Sequence, residues 1–135
     1  MKIEPYLNFN GRSDEAIEFY KRAVGAKVNM LMRYKDCPDA SAPISAESKE
    51  KVMHASLTIG DSVMLLSDGE CKEGKRFEGI SLALSVGSDA EAKKAFAGLS
   101  EGGQVRMPLS KTFFSSSFGM LHDRFGIMWM VLVGQ

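Results

Sequence analysis

The chain has 135 residues, 44% of them hydrophobic and 25% charged, and its seventeen basic side chains are balanced by seventeen acidic ones. That length suits one compact domain or two small half-domains with a buried core. Neutral charge excludes the strong field that draws a protein to nucleic acid or an anionic membrane; no apolar run approaches the roughly 20 residues that span a bilayer, and MKIEPYL lacks a signal-peptide core, so a cytoplasmic protein is expected.

Residues 2–9 read as a strand. Ser13 is the expected N-cap of a helix, with Asp14 and Glu15 in the first turn, where the helix dipole favours negative charge. Ala16, Phe19, Tyr20, Ala23 and Val24 follow at helical spacing and form one apolar face. Gly25 is placed to end the helix, and residues 28–34 read as a second strand. Asn8, Asn10 and Arg12 cluster at the first turn, in capping or solvated roles. Residues 36–50, with Pro38 and Pro43, have no periodic apolar pattern and predict a loop, either a plain connection or a flap over a pocket.

Residues 52–59 alternate. Met53, Ala55, Leu57 and Ile59 share one face, and His54, Ser56 and Thr58 share the other. Gly60-Asp61 predicts a hairpin turn into a strand over 62–67. Residues 68–78 are charged and contain glycine, and read as a linker. Cys37 and Cys71 sit in polar segments without a CxxC motif, and reduced surface thiols are expected.

The second half repeats the plan. Ile80, Leu82, Leu84 and Val86 alternate with Ser81, Ala83 and Ser85. Ser88 is the expected N-cap, and Ala92, Ala95, Phe96 and Leu99 form the buried helix face. Gly102-Gly103 ends the helix. Strands are predicted at about 104–113, 115–122 and 127–133, with a tight turn at Asp123-Arg124-Phe125-Gly126. Glu15, Ala16 and Tyr20 align with Glu91, Ala92 and Phe96; after a one-residue insertion, Val28 and Met30 align with Val105 and Met107. The order is βαβββ twice, within a single domain over 1–135 made of modules at 1–69 and 79–135.

PYLNFNGRSDEAIEFYKRAVGA, MHASLTIGDSVMLLSD and KTFFSSSFGMLHDRFGIMWMV together resemble the vicinal oxygen chelate superfamily, which includes glyoxalase I, extradiol dioxygenases and bleomycin-resistance proteins. The pattern FG-x4-D-x-FG-x2-W resembles its PhnB-like branch. The resemblance covers essentially the whole chain. It implies an α+β fold in which each βαβββ module curls its sheet into half of a cup, with the helix outside. It also implies a homodimer.

Metal-using members of that superfamily place His, Glu or Gln ligands on the first and last strands of each module. Carried over residue by residue, those positions fall on Pro5, Leu65, Ser81 and Met130. Proline and leucine offer no donor, serine is a weak one, and a thioether suits copper(I) rather than zinc, nickel or iron. The inherited metal site is therefore expected to be absent, with no cofactor in its place.

What the resemblance leaves is a pocket for a small molecule. The carried-over register lines it with Pro5, Leu7, Phe9, Leu65, Ser81, Ala83 and Met130, with His54, Ser56 and Thr58 as its polar element. His54, one of only two histidines, is the candidate for ligand hydrogen bonding or acid–base work, against a structural role. His122, beside a turn, reads as a solvated imidazole. Phe114, with Phe113 and Phe118, either stacks on a planar ligand or fills core. Trp129 is expected on the helix side. The nine methionines point to an adaptable interior.

There is no G-x-G-x-x-G, P-loop or nucleophile-elbow motif. Three functions remain open. One is metal-free binding of a small, partly apolar molecule. Another is a metal-independent enzyme of lyase or isomerase type using His54. The third is a metal-dependent lyase or dioxygenase with a displaced site.

Overall fold

A computed structural model describes residues 1–36, 47–69 and 76–134. Cys37, Cys71, most of the predicted 36–50 loop and residues 70–75 of the predicted linker lie outside the described residues. The chain divides into two units, Met1–Lys75 and Arg76–Gln135.

The first unit contains β1 (Tyr6–Asn8), α1 (Ser13–Val24), β2 (Lys27–Arg33), a short 3-10 turn (Tyr34–Asp36), β3 (Val52–Ile59) and β4 (Ser62–Ser67). Its sheet runs β1-β4-β3-β2, with β1 parallel to β4 and the other pairs antiparallel. The second unit contains β5 (Ser81–Val86), α2 (Asp89–Ser100), β6 (Gln104–Ser110), β7 (Phe118–His122) and β8 (Met128–Val133). Its sheet runs β5-β8-β7-β6, again with one parallel pair, β5 with β8. The architecture is α+β, with two copies of one βαβββ module, as predicted. Residues 111–117, expected to be mostly strand, form the connection between β6 and β7.

Each helix covers one face of its own sheet. Ala16, Ile17, Phe19, Tyr20 and Ala23 of α1 are buried, and so are Leu7, Ala55, Leu57, Met64 and Leu66 of the sheet. The Phe9 ring lies 6.2 Å from that of Tyr20, which fixes Leu7 and Phe9 on the helix-facing side. Burial of side chains as large as Phe19 and Tyr20 stabilises the module by roughly 1.5–3 kcal/mol each. In the second module Ala92, Ala95, Phe96 and Leu99 meet Leu121, Trp129 and Val131. Gly119 sits beneath Phe96; an added Cβ would lie 2.6 Å from the Phe96 ring.

The ends of α1 differ from expectation at one point. Gly25 closes the helix in the left-handed conformation at φ 68°, as predicted. At the other end the N-cap residue is Arg12, not Ser13, and no side chain of its own caps it. The capping oxygen comes from Asp68, whose Oδ1 accepts from the amides of Gly11 and Ser13, each at 2.9 Å. Its Oδ2 accepts from Val52 N at 2.8 Å. A buried carboxylate satisfies orphan helix amides more strongly than a hydroxyl does, so Ser13 moves into the first turn with its Oγ buried and unpartnered. Asp68 is thus a core residue, 1% exposed, rather than part of a solvated linker. Ser88 caps α2 as predicted, accepting from Glu91 N at 3.2 Å.

The second module also has a buried carboxylate, Asp123, but it serves a turn rather than a helix start. Its Oδ1 accepts from the amides of Phe125 and Ile127, and its Oδ2 from Trp129 Nε1 at 2.9 Å. This holds the predicted turn and places the Trp129 ring on the helix side, 3% exposed.

Candidate functional site

Strand side chains alternate, so residues paired across strands share a face. The helix-free face of the first sheet carries Tyr6 opposite Leu65, Ser56 opposite Leu65 and Met30, and His54 opposite Met32. That of the second carries Ala83 opposite Met130, Met120 between Met107 and Met130, Ser81 and His122 opposite Met128, and Phe118 opposite Leu132. Six of the nine methionines stand on these two faces.

The edge strands β2 and β6 carry the same irregularity. The register shifts between Val28 and Met30 opposite Leu57 and Ser56, and between Val105 and Met107 opposite Leu121 and Met120. The shift turns Asn29 onto the helix-free face, where its Nδ2 lies 3.2 Å from Ser56 Oγ and 2.7 Å from Thr58 Oγ1.

The sequence-predicted residues fall into three groups. His54, Ser56 and Leu65 share the helix-free face of the first module. Ser81 and Met130 share that of the second, and Phe114 joins them through Phe118, ring centroids 5.0 Å apart. Phe113 stacks edge-on to Phe114 at 5.1 Å and is 98% exposed, so it fills no core. Phe114 also borders an open cavity of about 310 Å³ with Lys111, Thr112 and Val133.

Leu7 and Phe9 do not line this face. They are 6% and 3% exposed and point into the core under α1. Pro5 precedes β1 and contributes only its carbonyl, which accepts from Leu65 N at 2.9 Å. The cause is a one-residue slip. Leu65 lies opposite Tyr6 and Met130 opposite Ala83, so Tyr6 and Ala83 are the equivalent positions. The offset that aligns Glu15 with Glu91 is one shorter, because the first module has an extra residue between strand and helix. A slip of one exchanges the two faces of a strand.

The residue this slip concealed is Tyr6. The residue is 53% exposed, and its ring is tilted 35° to the His54 imidazole with centroids 5.5 Å apart. Its hydroxyl lies 3.0 Å from His54 Nδ1. Alternation from Leu7 would have found it once the parity of β1 was right. His122 is the last residue of β7, beside the turn as expected, and lies on the helix-free face opposite Gln104 and Met128.

Asp14 and Asp89, each in the first turn of its helix, are carboxylates of shifted acidity. Asp14 is held below the usual carboxylate range by its hydrogen bonds with Arg33, at 2.8 and 2.9 Å. Asp89, at the start of α2, is lowered by hydrogen bonds from Ser116 and Ser117, at 2.6 and 2.7 Å. Those bonds fasten the 111–117 connection to α2.

The positions that would hold a superfamily metal were tested on their chemistry. Pro5, Leu65, Ser81 and Met130 supply no imidazole and no carboxylate, and do not fit a zinc, nickel or iron(II) ion. Tyr6 and Ala83, which the register puts in the equivalent places, do not repair the set. Among the described residues no three His, Cys, Asp or Glu side chains gather into a metal-binding group. No helix among them is long and apolar enough to cross a membrane.

Comparison with known proteins places this geometry. Residues 1–132 match the model of the family described as 3-demethylubiquinone-9 3-methyltransferase. Protein YjdN of Escherichia coli K12 is 30% identical over 98% of this chain and 95% of its own length. The crystal structure of protein PA1353 from Pseudomonas aeruginosa is 40% identical, with a TM-score of 0.87 over 100% of this chain and 98% of that one. A Bacillus cereus structure described as a putative 3-demethylubiquinone-9 3-methyltransferase, PhnB protein, is 26% identical, with a TM-score of 0.81 over 99% of this chain and 100% of that one.

Proposed function

This chain belongs to the 3-demethylubiquinone-9 3-methyltransferase family, a PhnB-like branch of the vicinal oxygen chelate superfamily, and on that footing we propose that it binds a small, partly apolar molecule without the superfamily's divalent metal. The observation that carries this reading is the make-up of the helix-free faces. They present thioethers and phenyl rings, with a few polar side chains, where metal-using relatives present imidazoles and carboxylates. Methionine is flexible and polarizable, and suits an apolar ligand of irregular outline.

The methyltransferase in the family's description is not carried over. The chain has no G-x-G-x-x-G nucleotide-binding fingerprint, and its described elements are those of two βαβββ modules. A second reading, metal-independent catalysis by His54, is favoured by the Tyr6 contact, which orients the imidazole as a base or acid would require. The protein is further proposed to be a cytoplasmic homodimer; a concentration-independent monomer mass by sedimentation would refute the dimer.

Thermal-shift screening of a small-molecule library, with zinc, nickel, manganese and iron(II) as separate arms, tests the reading. Apolar or mixed compounds should raise Tm in a concentration-dependent way, while the metals should not. Calorimetry showing a stoichiometric, submicromolar site for any of the four metals would overturn it.

A further inference from the structure

We infer that Tyr6 sets the tautomer of His54, so that the first module presents a single outward N–H donor and selects ligands carrying an oxygen acceptor on a flat apolar body. This deepens the binding reading above and rests on it.

The geometry begins with one shared proton. Tyr6 Oη and His54 Nδ1 are 3.0 Å apart, so one of them donates. A phenol is a stronger acid than a neutral imidazole N–H. Imidazole nitrogen is a far stronger base than a neutral phenol oxygen. The bond therefore runs from the Tyr6 hydroxyl to Nδ1, and the ring proton sits on Nε2. Among the described residues Tyr6 is the one hydrogen-bond partner of the His54 ring, so Nε2–H is available to a ligand.

The neighbours narrow the ligand class. Ser56 Oγ is already engaged by Asn29, as is Thr58 Oγ1. Met32 lies across the strand pair from His54, and the half-exposed Tyr6 ring leans over it. A flat apolar body can lie on the thioether and the ring while a carbonyl or carboxylate oxygen meets Nε2–H. A cation or a pure donor finds no acceptor at His54.

Imidazole nitrogen NMR tests this at a pH where His54 is neutral. His122→Gln assigns the signals, since there are only two histidines. The wild type should show the Nε2–H tautomer, and Tyr6→Phe should shift population toward Nδ1–H. Tyr6 is half exposed, so this variant should fold. Benzoate should move the His54 Nε2 signal and benzylamine should not; Tyr6→Phe should weaken benzoate binding about two- to tenfold, the span of one hydrogen bond. An Nδ1–H wild type, a tautomer unchanged in Tyr6→Phe, benzoate leaving the His54 signals in place, or benzylamine moving them would each overturn the inference. If benzoate moves the Met30 and Met32 methyl signals but not His54, the binding reading stands and this inference alone falls. If no library compound moves any methionine methyl of either module, the binding reading is what fails.

Discussion

Asp68 holds the first turn of α1 from 55 positions away, its Oδ1 lying 2.9 Å from the Ser13 amide nitrogen. The same carboxylate takes the amides of Gly11 and Val52, so one side chain ties the helix start, the β1–α1 connection and the start of β3 to the end of β4.

Asp68→Ala should be among the most damaging single changes in the first module. It leaves three backbone donors without their acceptor in a buried site, which costs about 3 kcal/mol or more. Urea unfolding should show a large drop in midpoint. Asp68→Asn keeps one acceptor oxygen but turns an NH2 toward a backbone donor, and should fall between. An Asp68→Ala midpoint within 0.2 M of wild type, which at roughly 1–3 kcal/mol per M is a fraction of that cost, would show that the three amides find other partners.

Ser13→Ala should do the reverse. The Ser13 hydroxyl is fully buried and has no hydrogen-bond partner. Removing it relieves an unpaired polar group and places a better helix former in the first turn. A stabilisation of up to about 1 kcal/mol is expected. A loss of stability on Ser13→Ala would mean that the hydroxyl is capping after all.

Gly119→Ala should destabilise the second module by about 1–3 kcal/mol, the usual range for overpacking. The new methyl would meet the Phe96 ring at 2.6 Å and Leu109 at 3.1 Å. Phe96→Leu combined with Gly119→Ala should recover part of the loss, because the obstructing ring is gone. Strictly additive effects in that double-mutant cycle would argue against direct contact.

Acid should weaken the Asp14–Arg33 pair. The folded-state pKa of Asp14 lies below the unfolded value, so the folded protein holds its charge more tightly. The contribution is fully present above the unfolded pKa and is lost as pH falls through the folded one. The pair is largely exposed, which limits it to roughly 0.2–1 kcal/mol. Asp14→Asn should therefore be slightly less stable than wild type at pH 7, with the gap closing below about pH 4. A gap that widens in acid would reverse the assigned sign.

Much of the fold can be read from the residues themselves. The helix faces follow from apolar spacing: Ala92, Ala95, Phe96 and Leu99 are the buried set of α2. The alternation across residues 52–59 separates Ala55 and Leu57 from His54 and Ser56, and the structure keeps them apart. Two things were hidden. One is the parity of β1, because a strand of only three residues carries too short a pattern to fix its faces. That concealed Tyr6 and misplaced Leu7. The other is the role of Asp68, because a long-range carboxylate cap leaves no local signature. In sequence it looks like the first charge of a linker.

The placement of β1 beside β4 has a consequence for synthesis. Tyr6 finds its strand partner only at Leu65, and the acceptor for the start of α1 only at Asp68. As the chain emerges from the ribosome, its first strand and helix must wait, unsheltered, until nearly the whole module has cleared the exit tunnel. The β2–β3–β4 meander can zip up from nearer neighbours meanwhile. Within this module the residues made first are thus among the latest to dock, and the β1–α1 segment is where a chaperone would find exposed apolar chain.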